Sequence, residues 1–145
     1  MNMNLSRHTM ETSCGVVLVN YGTVLLLQYP QGHWDLPKGH VEENDVDHHA
    51  TLLRELEEET GIREVQILAG FEERTEYTYR HKGKRHTKQV FWYIAETEEI
   101  TVELSHEHRG YVWLDWDQAL STITHDETRT VVQQAQRFVA LHGQQ

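Results

Sequence analysis

The run Arg54-Glu55-Leu56-Glu57-Glu58-Glu59-Thr60-Gly61-Ile62 spaces Glu55, Glu58 and Glu59 at i, i+3 and i+4, which puts three carboxylates on one face of a helix. Like charges that close repel one another, so the face is unfavourable unless a cation lies against it. A hard divalent ion does this, because magnesium prefers carboxylate oxygen and keeps water and substrate phosphates as its other ligands. The chemistry suggested is metal-assisted attack on a phosphate. An acidic run with ordinary flanks would instead be a solvated surface. Glu57 points away from the 55/58/59 face. Arg54 carries a fixed fork that can hold Glu58 one turn on and keep the carboxylates oriented.

Size and composition narrow the setting. With 145 residues and 38% hydrophobic content, the chain fits one domain with a single core. A net charge of −10 argues against general nucleic-acid binding, which needs a basic footprint, so a polyanionic substrate requires local cations or metal. One cysteine, Cys14, allows no internal disulfide and suits a reducing compartment. Its apolar flank Gly15-Val16-Val17-Leu18-Val19 marks it as a core residue rather than a nucleophile. No apolar run reaches membrane-spanning length, and residues 1–12 lack the apolar centre of a secretion signal. The expectation is a cytoplasmic monomer with a loose tail over residues 1–12, one domain over 13–145 and no membrane partner.

The elements that must position the carboxylates follow from pattern. Val16 to Val19 and Val24 to Leu27 flank Asn20-Tyr21-Gly22 and read as a hairpin. His33 to Val41, with Pro37, reads as an irregular loop leading into a helix. That helix runs from about Val46 to Thr60, with Leu52, Leu53 and Leu56 as its apolar stripe and Gly61 as its stop. Val65 to Glu72, Tyr77 to Tyr79, Gln89 to Ala95 and Tyr111 to Leu114 read as strands, with Arg80, Lys82, Lys84, Arg85 and Lys88 forming a cationic connection. Trp116 to Leu120 starts a short helix, and Thr128 to Leu141 carries a core-packing stripe. His48-His49 reads as polar helix surface.

Residues 39–62 resemble the Nudix box: Gly, five residues, Glu, seven residues, then Arg-Glu-U-x-Glu-Glu-x-Gly-U with U aliphatic. Arg54, Glu55, Leu56, Glu58, Glu59, Gly61 and Ile62 meet the second half in full. The first half departs from it: Gly39 is in place, Asp45 stands where the pattern has Glu, and Arg54 lies one residue further from Gly39 than expected. One inserted residue before or at the start of the helix explains this without shifting the carboxylates. The resemblance implies an α/β fold, the Nudix α/β/α sandwich with a mixed central sheet, and hydrolysis of a nucleoside diphosphate linked to another moiety. It further implies that box glutamates hold magnesium, or manganese, which neutralises phosphate charge and activates water.

Outside the box the chain is similar to the group that hydrolyses diadenosine tetraphosphate asymmetrically. Gly32-His33-Trp34, Pro37-Lys38-Gly39-His40-Val41-Glu42, Gly70-Phe71 with Tyr77, and Leu104-Ser105-His106-Glu107-His108 with Tyr111 and Trp113-Leu114 keep that group's order and spacing. By that likeness His33, Lys38 and Lys88, with Gly39, would contact the phosphate chain, and Tyr77 and Tyr111 would hold an adenine between them. Glu107 would be a further metal ligand or the base for water, beside Glu58 and Arg54 in the catalytic set. Lysine offers a point charge to phosphate, and each aromatic stack on a purine is worth roughly 1–3 kcal/mol. A tyrosine in a strand is more often packing, whereas a histidine on the pre-box loop has no core to fill. On a strand, adjacent residues alternate faces, so either Glu107 or the pair His106 and His108 would point inward. The expected reaction is diadenosine tetraphosphate plus water to ATP plus AMP. The rivals are a nucleoside triphosphate, capped or triphosphorylated RNA, an inositol pyrophosphate, or a binding module without chemistry.

Overall fold

A computed structural model describes residues 8–142 of the chain. The hairpin is β1 (His8–Asn20) and β2 (Thr23–Gln28), joined at Tyr21-Gly22 as the turn chemistry requires. Short strands β3 (Trp34–Asp35) and β4 (Lys38–His40) follow, then helix α1 (His48–Thr60). The remaining order is β5 (Val65–Ile67), β6 (Glu73–His81), β7 (Lys84–Thr97), β8 (Gly110–Asp115), α2 (Trp116–Thr122) and α3 (Asp126–His142). Residues 8–12, expected in a loose tail, belong to β1 and pair with β7; the rest of that tail lies outside the described residues.

All eight strands join one mixed sheet whose main path is β3-β2-β1-β7-β5. The β1–β7 pairing is parallel, from His8↔Arg85 to Val19↔Glu96, and the other pairings are antiparallel. Alternation along the strands feeds two cores. Val17, Val19, Val24, Leu26, Trp92 and Ile94 face α2 and α3 through Ala119, Val131, Val132, Ala135 and Val139. Cys14, Val16, Leu18, Leu25, Leu27 and Tyr93 face α1 through Leu52 and Leu56. The architecture is therefore an α/β/α sandwich. Cys14 is buried and its thiol is pushed up to about 12, chiefly by burial, in keeping with a packing role.

The box helix has clear ends. Asp47 caps it, its carboxylate accepting from the Ala50 N–H at 2.8 Å, and Gly61 closes it at φ 76°, a conformation that a residue with a Cβ resists. Leu52 and Leu56 are 2% and 1% exposed. Truncating either to alanine would cost about 2–5 kcal/mol. Their burial fixes the helix's rotation and thereby sends Glu55 and Glu59 toward β4 and the loop before β8. Among the described residues no helix is long and apolar enough to cross a membrane.

Candidate active site

The loop that absorbs the extra residue closes on itself before α1 begins. Asp45 N–H donates to the Glu42 carbonyl, while Asp45 Oδ2 accepts from the Glu42 N–H and from Thr51 Oγ1, each of the last two at 2.8 Å. Arg54 then reaches across it. Nε donates to Asp45 Oδ1 at 3.1 Å, Nη2 to Asp45 Oδ2 and to the His40 carbonyl at 2.9 Å each, and Nη1 to Glu55 at 2.8 Å and Glu58 at 3.3 Å. The expected Arg54–Glu58 contact is present, and Asp45 is a second anchor that the sequence did not assign. The Arg54 hydrogen bonds, followed by those from Glu42 and Thr51, hold the Asp45 carboxyl well below the usual carboxylate range.

Glu55, Glu59 and Glu107 line a single cavity of about 490 Å³ together with Lys38, Gly39, Glu42, Tyr29 and His108. Glu58 stands outside that lining, its side chain 59% exposed and paired to Arg54. Gly39 explains how β4 and α1 come so close: a Cβ there would lie 2.0 Å from the Glu55 carboxylate carbon. No side chain beyond hydrogen fits that position unless Glu55 moves.

Glu59 is 7% exposed, and its Oε1 has no hydrogen-bond partner among the described residues. Burial first, then the charges of Glu55 and Glu107, push its carboxyl up to about 8, against a lowering bond from the Lys38 backbone N–H. Glu55 is also raised, mainly by burial, with Arg54 opposing. A buried carboxylate oxygen without a donor, with three further carboxylates, Glu42, Glu55 and Glu107, in the same cavity, fits a hard divalent cation.

The segment carrying Glu107 is a turn, not a strand. Glu103 and Ser105 N–H groups bond the Thr60 and Glu59 carbonyls, so the loop is fastened to the end of α1, and His108 N–H folds back to the Ser105 carbonyl. The strand-alternation expectation is corrected accordingly: Glu107 and His108 both line the cavity, because a turn does not alternate faces. His108 is buried edge-on to Tyr29 at 4.8 Å, and burial lowers its pKa.

A second cleft of about 700 Å³ holds His33, Lys38, Tyr77, Lys88, Trp92, Asp35 and His125 among its lining. Lys38 lines both cavities, so they share a wall. The structure brings four of the sequence candidates, His33, Lys38, Tyr77 and Lys88, into this one cleft. Tyr111 is not among them. Tyr77 pairs with Lys88 on the sheet face of Val90 and Trp92, under α3, whereas Tyr111 pairs with Leu27 and shares the α1 face with Trp113. The expected sandwich of one base between Tyr77 and Tyr111 is therefore corrected, since strand alternation sends the two rings to opposite faces.

Sequence reasoning also missed Tyr29, Asp35 and His125. Tyr29 stacks on His33 with ring centroids 4.9 Å apart and donates to the Leu36 carbonyl at 2.9 Å, which orients the histidine. The only local signal was that Asp35 falls in the segment His33 to Val41 read from sequence as a loop, which the structure gives as the short strand β3 at that point; His125 comes from a distant segment.

An acidic cavity adjoins a cleft that carries Lys38, Lys88 and an exposed aromatic ring, on an α/β/α sandwich. A NUDIX domain model matches residues 10–135, and the chain belongs to that family. It is 40% identical over 123 residues to the asymmetrical bis(5'-nucleosyl)-tetraphosphatase of Rattus norvegicus, an alignment covering 79% of each chain. It is 32% identical over 119 residues to the enzyme of that name from Caenorhabditis elegans, covering 80% of this chain and 84% of the relative. A solved binary complex of C. elegans Ap4A hydrolase superposes with a TM-score of 0.75 at 28% identity, spanning 90% of this chain and 98% of that one. Nudix hydrolases use divalent metal ions, which agrees with the unpartnered oxygen of Glu59.

Proposed function

We propose that this protein hydrolyses a phosphoanhydride of a dinucleoside tetraphosphate, diadenosine tetraphosphate above all, to give ATP and AMP. The observation that carries the reading is the shared wall at Lys38, which sets a carboxylate cavity directly beside a cleft with a second lysine, Lys88, and the exposed ring of Tyr77. The names of the relatives in rat and nematode support the same substrate class.

Glu55, Glu59 and Glu107 would hold Mg²⁺, or Mn²⁺ in its place, with Glu58 next to them under the control of Arg54. When bound, the ion supplies charge neutralisation for the phosphates and lowers the pKa of a water. The protein's own contribution is placement. Arg54 fixes the carboxylates, and Gly39 leaves room for Glu55. Lys38 and Lys88 offer point charges to the phosphate chain, His33 adds a donor held in place by Tyr29, and Tyr77 presents a ring that is 59% exposed for a base to stack on. Glu107, on the exposed turn of the acidic cavity, would serve either as that further metal ligand or as the base that accepts a proton from water.

One feature favours a second reading. The β6–β7 hairpin tip carries exposed Arg80, Lys82, Lys84 and Arg85, which suit a substrate more anionic than a mononucleotide. A Mg²⁺-dependent rate panel of dinucleoside tetraphosphate, nucleoside triphosphate, capped RNA and inositol pyrophosphate separates the two. The account expects the dinucleoside tetraphosphate to have the highest kcat/KM; a faster inositol pyrophosphate or RNA overturns it.

A further inference from the structure

His33, Asp35 and His125 bring two imidazoles and a carboxylate together, with one ligand atom from each lying within 4.8 Å of the others. None of the three lines the acidic cavity. Asp35 is 2% exposed, lines the second cleft and, among the described residues, takes part in no ion pair, its Oδ1 accepting the Leu36 N–H at 2.7 Å. A buried carboxylate in that position ordinarily has a cation or a metal beside it.

The grouping is built by the fold rather than by chance proximity of surface chains. Thr124 fastens the α2–α3 connection to β3 in both directions: its N–H donates to the Trp34 carbonyl at 3.1 Å, and its Oγ1 accepts from the Trp34 N–H at 3.0 Å. The next residue, His125, is thereby set over the two residues that flank Trp34. Its carbonyl accepts from the Arg129 N–H at 3.0 Å, and Arg129 also bonds the Leu120 and Ile123 carbonyls, so the connection is pinned on both sides. His33 is oriented by its stack on Tyr29, and its ring centroid lies 5.3 Å from that of His125.

We propose that His33, Asp35 and His125 form a second cation site, separate from the carboxylate cavity and selective for a borderline transition ion of the zinc or cobalt class. Two nitrogens and one oxygen suit such an ion and not magnesium, which demands oxygen donors. Donors around a tetrahedral zinc sit about 3.3 Å apart, so the trio closes by at most roughly 1.5 Å on binding. His125, the exposed member, supplies that motion by side-chain rotation. The fourth position opens into the cleft that holds Lys38, Tyr77 and Lys88.

The test is a Co²⁺ titration of the full chain in saturating Mg²⁺, without substrate, read by visible absorption and by equilibrium dialysis. The expected result is one equivalent of Co²⁺ with a tetrahedral spectrum that Mg²⁺ does not displace, weakened at least about tenfold by His125→Ala. His125 is exposed in a connection held through its backbone, so this variant keeps the fold; Asp35→Asn is the second variant, and His49→Ala the control that leaves binding unchanged. An unaltered curve for His125→Ala, or displacement of Co²⁺ by Mg²⁺, overturns the proposal. Because no substrate is present, the outcome is independent of the reaction proposed above.

Discussion

Glu59→Gln isolates the electrostatic cost of the acidic cavity. The carboxyl rises from an ordinary 4.5 to about 8 in the folded protein. Between those values the folded chain keeps a proton that the unfolded chain has released, so stability is full below pH 4.5 and is lost as pH climbs through 8. At about 1.4 kcal/mol per pH unit the ceiling is near 5 kcal/mol, of which about 4 falls between pH 5 and 9. Glutamine keeps the shape and the acceptor for the Lys38 N–H and removes the charge. In metal-free buffer the variant should therefore gain on the wild type as pH rises, by up to roughly 12 °C in Tm at pH 9, taking about 3 °C per kcal/mol for a chain of this length. Divalent metal should reverse the order, because it binds the wild-type folded state more tightly and stabilises it by mass action. Melting curves from pH 5 to 9 with EDTA and with Mg²⁺ make the comparison. Parallel wild-type and variant curves in EDTA would refute the reasoning.

Gly39→Ala places a Cβ 2.0 Å from the Glu55 carboxylate, where ordinary contact begins at 3.4 Å, so Glu55 must retreat by about 1.4 Å. The fold should survive while kcat drops on the order of a hundredfold in steady-state assays, as a misplacement of that size commonly causes. Asp45→Asn removes one charged partner of Arg54, the one bound by both Nε and Nη2, and should weaken metal binding about tenfold by calorimetry, with secondary structure unchanged by circular dichroism. Tyr77→Ala should raise KM roughly 5- to 150-fold through a lost stack worth about 1–3 kcal/mol, whereas Tyr111→Ala should stay within about twofold. Equal effects of the two tyrosine variants would contradict the cleft assignment.

What the sequence made legible was local. The box helix showed itself through its leucine stripe and Gly61, and the hairpin through its turn residues, because each signal lies within a few positions of the structure it produces. The metal face was legible for the same reason, and two of its three residues, Glu55 and Glu59, line the cavity. Long-range pairing was not. The parallel register of β1 on β7 joins residues 77 positions apart, as in His8↔Arg85, and no short window encodes that. The Tyr77–Tyr111 pairing failed where it depended on which face each strand presents, a fact set by register. Alternation misled at Glu107 because Ser105 turns the chain there, and Asp35 meets His125 through long-range bonds, those of Thr124 to Trp34 among them.

The most direct test of the central claim is product analysis of diadenosine tetraphosphate hydrolysis in ¹⁸O-labelled water with Mg²⁺, by chromatography and mass spectrometry. The account predicts equimolar ATP and AMP, one ¹⁸O per turnover and no turnover in EDTA. Two molecules of ADP, or the same rate without divalent metal, would contradict it.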